Sequence, residues 1–253
     1  VATGHQALLN NTTGDYNVAI GNEALLNNTT GDYNVANGTN ALYNNKTGQY
    51  NVATGYKALN SNTGGNGNTA TGFQALKANT ASFNTAVGTN ALMTNIGGEK
   101  NVATGYMALY SNVGGDNNVA TGYQALYSNS TGSYNTATGY MALYHNTTGH
   151  NNIAIGCSGL FSNTTGEYNV AIGNSAMING TSGNNNVAIG RLALSDNTVD
   201  GNTATGYASL QKNIIGTGNV ANGYSALNKN TGNNNTAIGY EALAYNTSGV
   251  SNT

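Results

Sequence analysis

A unit of about seventeen residues recurs fifteen times and leaves no part of the chain outside it. It reads Asn, Val or Thr, Ala, a variable residue, Gly, two variable residues, Ala, Leu, two variable residues, Asn, then a turn rich in Thr and Gly. The repeat glycines run from Gly4, Gly21, Gly38 and Gly55 to Gly239; eleven of the fourteen steps between them are 17 residues and three are 16. A unit this short cannot bury an apolar face by itself, so each must bury it against its neighbours. The expectation is a stacked rod, a single repeat domain over residues 1–253.

Two residues before the glycine, every unit carries Ala, as at Ala19, Ala36 and Ala53. Four before it stands Asn, as at Asn17, Asn34 and Asn51, in every unit that reaches so far back. Asn, Ala and Gly thus alternate along N-V-A-I-G (Gly21, Gly38 and Gly55 closing three of them), which is the period of a β-strand. The intervening positions hold Val, Thr, Ile or Asn, mostly β-favouring and tolerant of exchange. Invariant small residues indicate a face that another backbone layer approaches closely. Which face points into the coil is left open by the pattern.

Three and four residues after the glycine come Ala and Leu, as in Ala24-Leu25 and Ala58-Leu59, with mild exceptions such as Ala176-Met177. Two adjacent restricted positions do not fit in–out alternation. Either a short second strand bends here, the preferred reading, or the segment is a single helical turn. The Asn seven after the glycine, such as Asn11 or Asn62, is expected to close that turn in left-handed geometry. The rest, as in Asn11-Thr12-Thr13-Gly14-Asp15, is turn chemistry, and the shortened units fall there.

The predicted fold is therefore all-β, a parallel β-solenoid or β-roll of about fifteen coils of 16–17 residues. At the usual strand spacing fifteen coils give a rod of about 70 Å. Stacking puts identical residues about 4.8 Å apart, so both Asn columns are expected to hydrogen-bond along the axis as ladders.

Composition narrows the function. Only 6% of residues are charged, against about 25% in an ordinary domain, so amides and hydroxyls must carry solubility. A net charge of −2 offers no basic stripe for nucleic acid, and no apolar run is long enough for a membrane helix. Cys157 is the one cysteine, so no disulfide framework exists. The chain starts within a repeat at Val1 and stops within another at Thr253, which predicts repeats continuing in a longer chain or rods meeting end to end as a filament.

The strings Asn17-Val18-Ala19-Ile20-Gly21, Asn169-Val170-Ala171-Ile172-Gly173 and Asn186-Val187-Ala188-Ile189-Gly190 resemble the head repeats of trimeric autotransporter adhesins, and repeats of tail-fibre-like surface proteins. The resemblance implies a parallel β-roll, often trimeric, projected from a cell or virion to bind a surface. It carries over no catalytic residue. The longer period and the Ala-Leu and Thr-Thr-Gly segments depart from the adhesin pattern.

Chemistry-bearing residues are scattered. Asp15 and Asp32 share a phase in adjacent coils and are read as two solvated turn carboxylates, with a weak cation site as the alternative. His5, His145 and His150 fall at different phases, so no metal site or cofactor is expected. Tyrosine is more informative. Tyr106, Tyr123 and Tyr140, then Tyr207, Tyr224 and Tyr240, follow the glycine by one; Tyr110, Tyr127, Tyr144 and Phe161 follow it by five. These aromatic columns are the candidate contact surface, either a seam to another chain or a strip for a glycan. Thr69/Thr71, Thr136/Thr138 and Thr203/Thr205 suggest an ice-binding lattice, but three coils separate each pair from the next. The sequence-level conclusion is a non-enzymatic structural or adhesive fibre, extracellular or on a cell or virion surface. Its expected partners are itself, as a trimer or filament, and a glycan or host surface. The alternatives are an ice-binding solenoid and a carbohydrate-binding tail-fibre segment.

Overall fold

A computed structural model describes residues 1–253. The chain is an all-β parallel solenoid with one short strand per coil and no helix. It divides into two compact units, Val1–Thr131 and Gly132–Thr253.

The first unit holds β1 (Ala2–Thr3), β2 (Val18–Ile20), β3 (Val35–Asn37), β4 (Val52–Thr54), β5 (Thr69–Thr71), β6 (Thr85–Val87), β7 (Val102–Thr104) and β8 (Val119–Thr121). Each pairs in parallel with the next, Ala on Ala, as in Ala19↔Ala36 and Ala36↔Ala53. The second unit repeats the scheme with β9 (Thr136–Thr138), β10 (Ile153–Ile155), β11 (Val170–Ile172), β12 (Val187–Ile189), β13 (Thr203–Thr205), β14 (Val220–Asn222) and β15 (Thr236–Ile238). A shortened coil leaves the register intact: Thr69, Ala70 and Thr71 oppose Thr85, Ala86 and Val87 across the first one. The missing residue is taken from the corner, where no ladder is interrupted.

The strand face left open by the sequence is now fixed. The Ala of each interior strand is buried and the Asn before it is buried too, while the Val, Thr, Ile and Asn between them face outward. The repeat glycine is required by both conformation and space. Gly38 has φ +140°, and a Cβ placed on it would lie 2.6 Å from the carbonyl oxygen of Gly55 in the next coil.

The Ala-Leu segment corrects the sequence reading: it is neither a second strand nor a helical turn. The residue two after each glycine and the Leu or Met four after it are both left-handed, the latter at φ 48–55°. That alternation turns Ala24 and Leu25, or Ala58 and Leu59, inward side by side. A left-handed residue with a side chain costs about 1–2 kcal/mol, and full burial of a Leu returns about 1.5–3 kcal/mol. The Leu backbone is also held between coils: the Leu25 N–H donates to the Ala41 carbonyl at 3.0 Å. The core is consequently a column of Leu flanked by two columns of Ala, one coil thick.

The Asn seven after the glycine does not adopt the left-handed geometry expected of it. Its side chain closes the corner instead. Asn45 Nδ2 donates to Gly48 O (3.0 Å) in its own coil and to Asn28 Oδ1 (2.8 Å) in the coil before. Asn62 repeats the link to Asn45 at 2.9 Å, and Asn163 that to Asn146 at 2.8 Å. The other Asn column is laddered differently. Its Oδ1 accepts the backbone N–H of the next Asn, as from Asn51 to Asn34 at 3.0 Å, and its Nδ2 reaches a corner carbonyl of the next coil, as from Asn34 to Gly48 O at 2.8 Å.

Candidate contact surface

The outer face of each coil is built from the positions the core does not need. In the second unit the strand contributes aliphatic rungs such as Ile153 with Ile155 and Val170 with Ile172, half-buried or exposed. Thr pairs occupy β5, β9 and β13 only, so the Thr lattice is interrupted where the sequence interrupts it.

The tyrosine columns are ring stacks. In the first unit Tyr106 lies on Tyr123 with centroids 5.3 Å apart and planes 15° from parallel, and Tyr110 lies on Tyr127 at 5.2 Å and 8°. In the second, Tyr144 lies on Phe161 at 5.3 Å, and Tyr207, Tyr224 and Tyr240 form a run with 5.0 Å steps. His145 packs edge-on against both Tyr144 and Phe161. Tyr140 is exposed at the same phase as Tyr106. The structure thus brings the candidate residues into local stacks, with the rings of Tyr110, Tyr127, Tyr144 and Phe161 half-buried and the others more open.

A third aromatic column was missed in the sequence. Tyr16, Tyr33 and Tyr50, twelve residues after their glycines, stack at 4.9 and 5.1 Å with planes 7° and 4° from parallel. Tyr56 also stacks on Phe73, at 5.3 Å. The signal for the third column was present, since three successive units carry Tyr at one phase. All three of these tyrosines are left-handed, at φ 56–58°.

The stacks have a chemical consequence. A ring held between two others at about 5 Å has both faces covered, so it offers solvent its edge and hydroxyl. A sugar needs a free aromatic face, which exists only where a stack stops.

The polar side chains of the outer turn are engaged one by one. Asp32 Oδ1 accepts the Asp15 N–H at 2.8 Å, which links the two turns through the Asp15 backbone. Other residues at that phase do the same: Asp116 accepts from Glu99, Asn184 from Glu167, Asn233 from Thr217, and His150 Nδ1 from Ser133. What the phase requires is an acceptor, and Asp, Asn and His each supply one. No group of three or more His, Cys, Asp or Glu side chains comes together, and Cys157 is a free, exposed thiol.

In the second unit Asp196 takes hydrogen bonds from Asn179 (2.8 Å) and Lys212 (3.0 Å). Partial burial pushes its carboxyl upward, but these two hydrogen bonds and the Lys212 charge outweigh it and hold the group below the ordinary carboxylate value.

No protein-family model matches this chain, and no curated protein is significantly similar to it.

Proposed function

We propose that the chain is a non-enzymatic structural segment of a surface fibre, displayed outside a cell or on a virion, that presents its outer face for attachment. The observation that carries this reading is the use of polar groups. Asn, Thr and Asp side chains bond to the next coil again and again, as Asn45 to Asn28, Thr29 to Lys46 and Asp32 to Asp15 do. Within each unit one surface motif is repeated coil after coil, which suits multivalent weak attachment. The likeness of its strand motif to adhesin head repeats points the same way. Self-association as a trimer or filament belongs to this proposal, with the aromatic and aliphatic columns as its seams.

The test is adsorption. The purified chain, coated on beads, should adhere to a glycan-bearing surface and resist release in proportion to coating density. Turnover in a glycan-hydrolysis screen, or no adhesion at any density, overturns the reading. A second reading, ice binding, is favoured only by the outward β-branched pairs such as Thr69 and Thr71. An ice-recrystallisation assay decides it.

A further inference from the structure

We propose that the break in the third aromatic column is a binding slot for one neutral pyranose ring. The inference rests on the attachment reading only for its biological use; the slot itself is argued from geometry. Tyr16, Tyr33 and Tyr50 stack in successive coils, and the next coil has Gly67 where the ring should be. The coil after that supplies Phe83 at the same phase, its N–H bonded to Asn66 O as the Tyr33 N–H is to Asp15 O. The backbones of Tyr50 and Phe83 therefore stand two coils apart, about 9.6 Å along the axis at the usual strand spacing, and the Phe83 ring tilts back into that interval over Gly67. Between them opens a cavity of about 620 Å³ lined by Thr47, Gln49, Tyr50, Gly64, Asn66, Gly67 and Phe83.

Three features select the ligand. The first is an aromatic wall on either side: the Tyr50 face turned from Tyr33 carries no stacked ring, and Phe83 leans over Gly67, its Cδ1 3.0 Å from where a Cβ would sit. A pyranose ring stacks its axial C–H groups on the open Tyr50 face, and the Phe83 ring, swung back from Gly67, covers its other side. The second is the rim. Asn66 Oδ1 accepts the Gln49 N–H at 2.8 Å, leaving its amide hydrogens for a ligand, and Gln49 and Thr47 add an amide and a hydroxyl. The third is charge: the lining contains no Asp, Glu, Lys, Arg or His. A neutral sugar fits; a uronate or an amine finds no counter-charge.

The second unit contains a control. At the same phase Tyr168 stands between Asn151 and Asn185, and a cavity opens beside it, lined by Tyr168, Asn185, Glu167 and Asp200 among others. Its lining has one ring and two carboxylates, against two rings and no carboxylate at Gly67.

Gly67→Tyr is the decisive variant. Gly67 has φ +64°, close to the 56–58° at which Tyr16, Tyr33 and Tyr50 sit, so a tyrosine is conformationally at home there and completes the stack once the Phe83 ring swings aside. Saturation-transfer NMR with methyl β-glucopyranoside and methyl β-galactopyranoside should show transfer to the ring C–H protons in the parent chain. It should fall about tenfold in Gly67→Tyr, with circular dichroism unchanged, and also in Tyr50→Ser. Equal transfer in Gly67→Tyr, or none from the parent to either glycoside, overturns the slot. So does saturation by p-cresol with no response to the glycosides, which would make the occupant an aromatic side chain. Bead adhesion separates the two proposals: a parent and a Gly67→Tyr variant that adhere alike leave attachment standing without the slot, and glycoside binding without adhesion does the reverse.

Discussion

Asn34 and Asn45, one from each asparagine column, donate to the same oxygen, the carbonyl of Gly48, at 2.8 and 3.0 Å. The two columns are therefore joined at the corner; Asn51 and Asn62 meet likewise on Gly65 O, and at a shortened corner Asn68 and Asn79 meet on Ala81 O. All six side chains are buried. Asn34→Ala and Asn45→Ala should each lower stability by about 1–3 kcal/mol, the cost of leaving buried partners unsatisfied. Because they share an acceptor, the double variant should fall short of the sum by about 0.5 kcal/mol or more. Denaturant melts of the four proteins check this, and strict additivity would show the columns to be independent.

Glycine positions should divide sharply by what lies above them. A Cβ on Gly38 would meet the Gly55 carbonyl at 2.6 Å, whereas one on Gly114, at a corner, meets nothing within 4 Å. Gly38→Ala should cost about 4 kcal/mol or more, in the range reserved for forced backbone movement. Gly114→Ala should change stability by less than about 0.5 kcal/mol. Thermal midpoints of the two variants, measured side by side, decide it; similar midpoints would mean the coils are not packed backbone to backbone.

The strand, its phase and the parallel stacking were legible because alternation of invariant small residues with variable β-branched ones has one structural meaning. The corner was legible for the same reason: Thr-Gly turns absorb deletions, as the unbroken pairing of Thr69 with Thr85 shows. The Ala-Leu segment was not legible. Nothing in Leu25 or Leu59 announces a left-handed residue, since the choice is made by the need to turn two neighbours inward, and local preference opposes it. The candidate surface was half legible. The tyrosine phases mark stacks, but sequence phase cannot tell a ring whose face is open from one whose face is covered. The shared carbonyl of Gly48 was likewise hidden, because it depends on where two columns meet across a corner.

The left-handed Leu makes a prediction about shape at constant apolarity. Leu109 is buried at φ +52°, and Met177 fills the equivalent position at φ +50°. Leu109→Met should cost less than about 1.5 kcal/mol, as volume-conserving exchanges do. Leu109→Val removes one methylene yet puts a β-branch on a left-handed backbone, which is disfavoured. It should cost clearly more than the 0.5–1.5 kcal/mol or so expected of losing a methylene in a core. Equal losses for Val and Met in urea melts would argue against the left-handed assignment.

Acid should act through Asp196. Its carboxyl is held below the ordinary value in the folded chain by Asn179 and Lys212, against the opposing pull of burial. A group whose folded value is depressed contributes stability above its unfolded value, and that contribution is lost as pH falls through the folded one. The thermal midpoint should therefore decline modestly as pH drops below the ordinary carboxylate range, about 4. Lys212 is mostly exposed, which keeps the effect small. Asp196→Asn should flatten this part of the profile. A variant with the parent's acid slope would place the titrating group elsewhere.

The third aromatic column sets backbone strain against ring stacking, and two tyrosines separate them. Tyr33 and Tyr134 are both left-handed, at φ 57° and 61°. Tyr33 lies between Tyr16 and Tyr50, with centroids at 4.9 and 5.1 Å. Tyr134 is followed in the next coil by Asn151 and has no stacked ring there. Asparagine tolerates left-handed geometry better than tyrosine, which relieves about 1 kcal/mol of strain at either site. At Tyr33 the same change removes two stacking contacts of about 0.5–1.5 kcal/mol each. Tyr134→Asn should thus raise stability slightly, and Tyr33→Asn should leave it unchanged or lower it by up to about 2 kcal/mol. Only the difference between the variants isolates the stack, since strain relief is common to both. Were Tyr33→Asn to stabilise the chain as much as Tyr134→Asn, the stacked rings would hold nothing together, and their regular spacing would be a by-product of the coil.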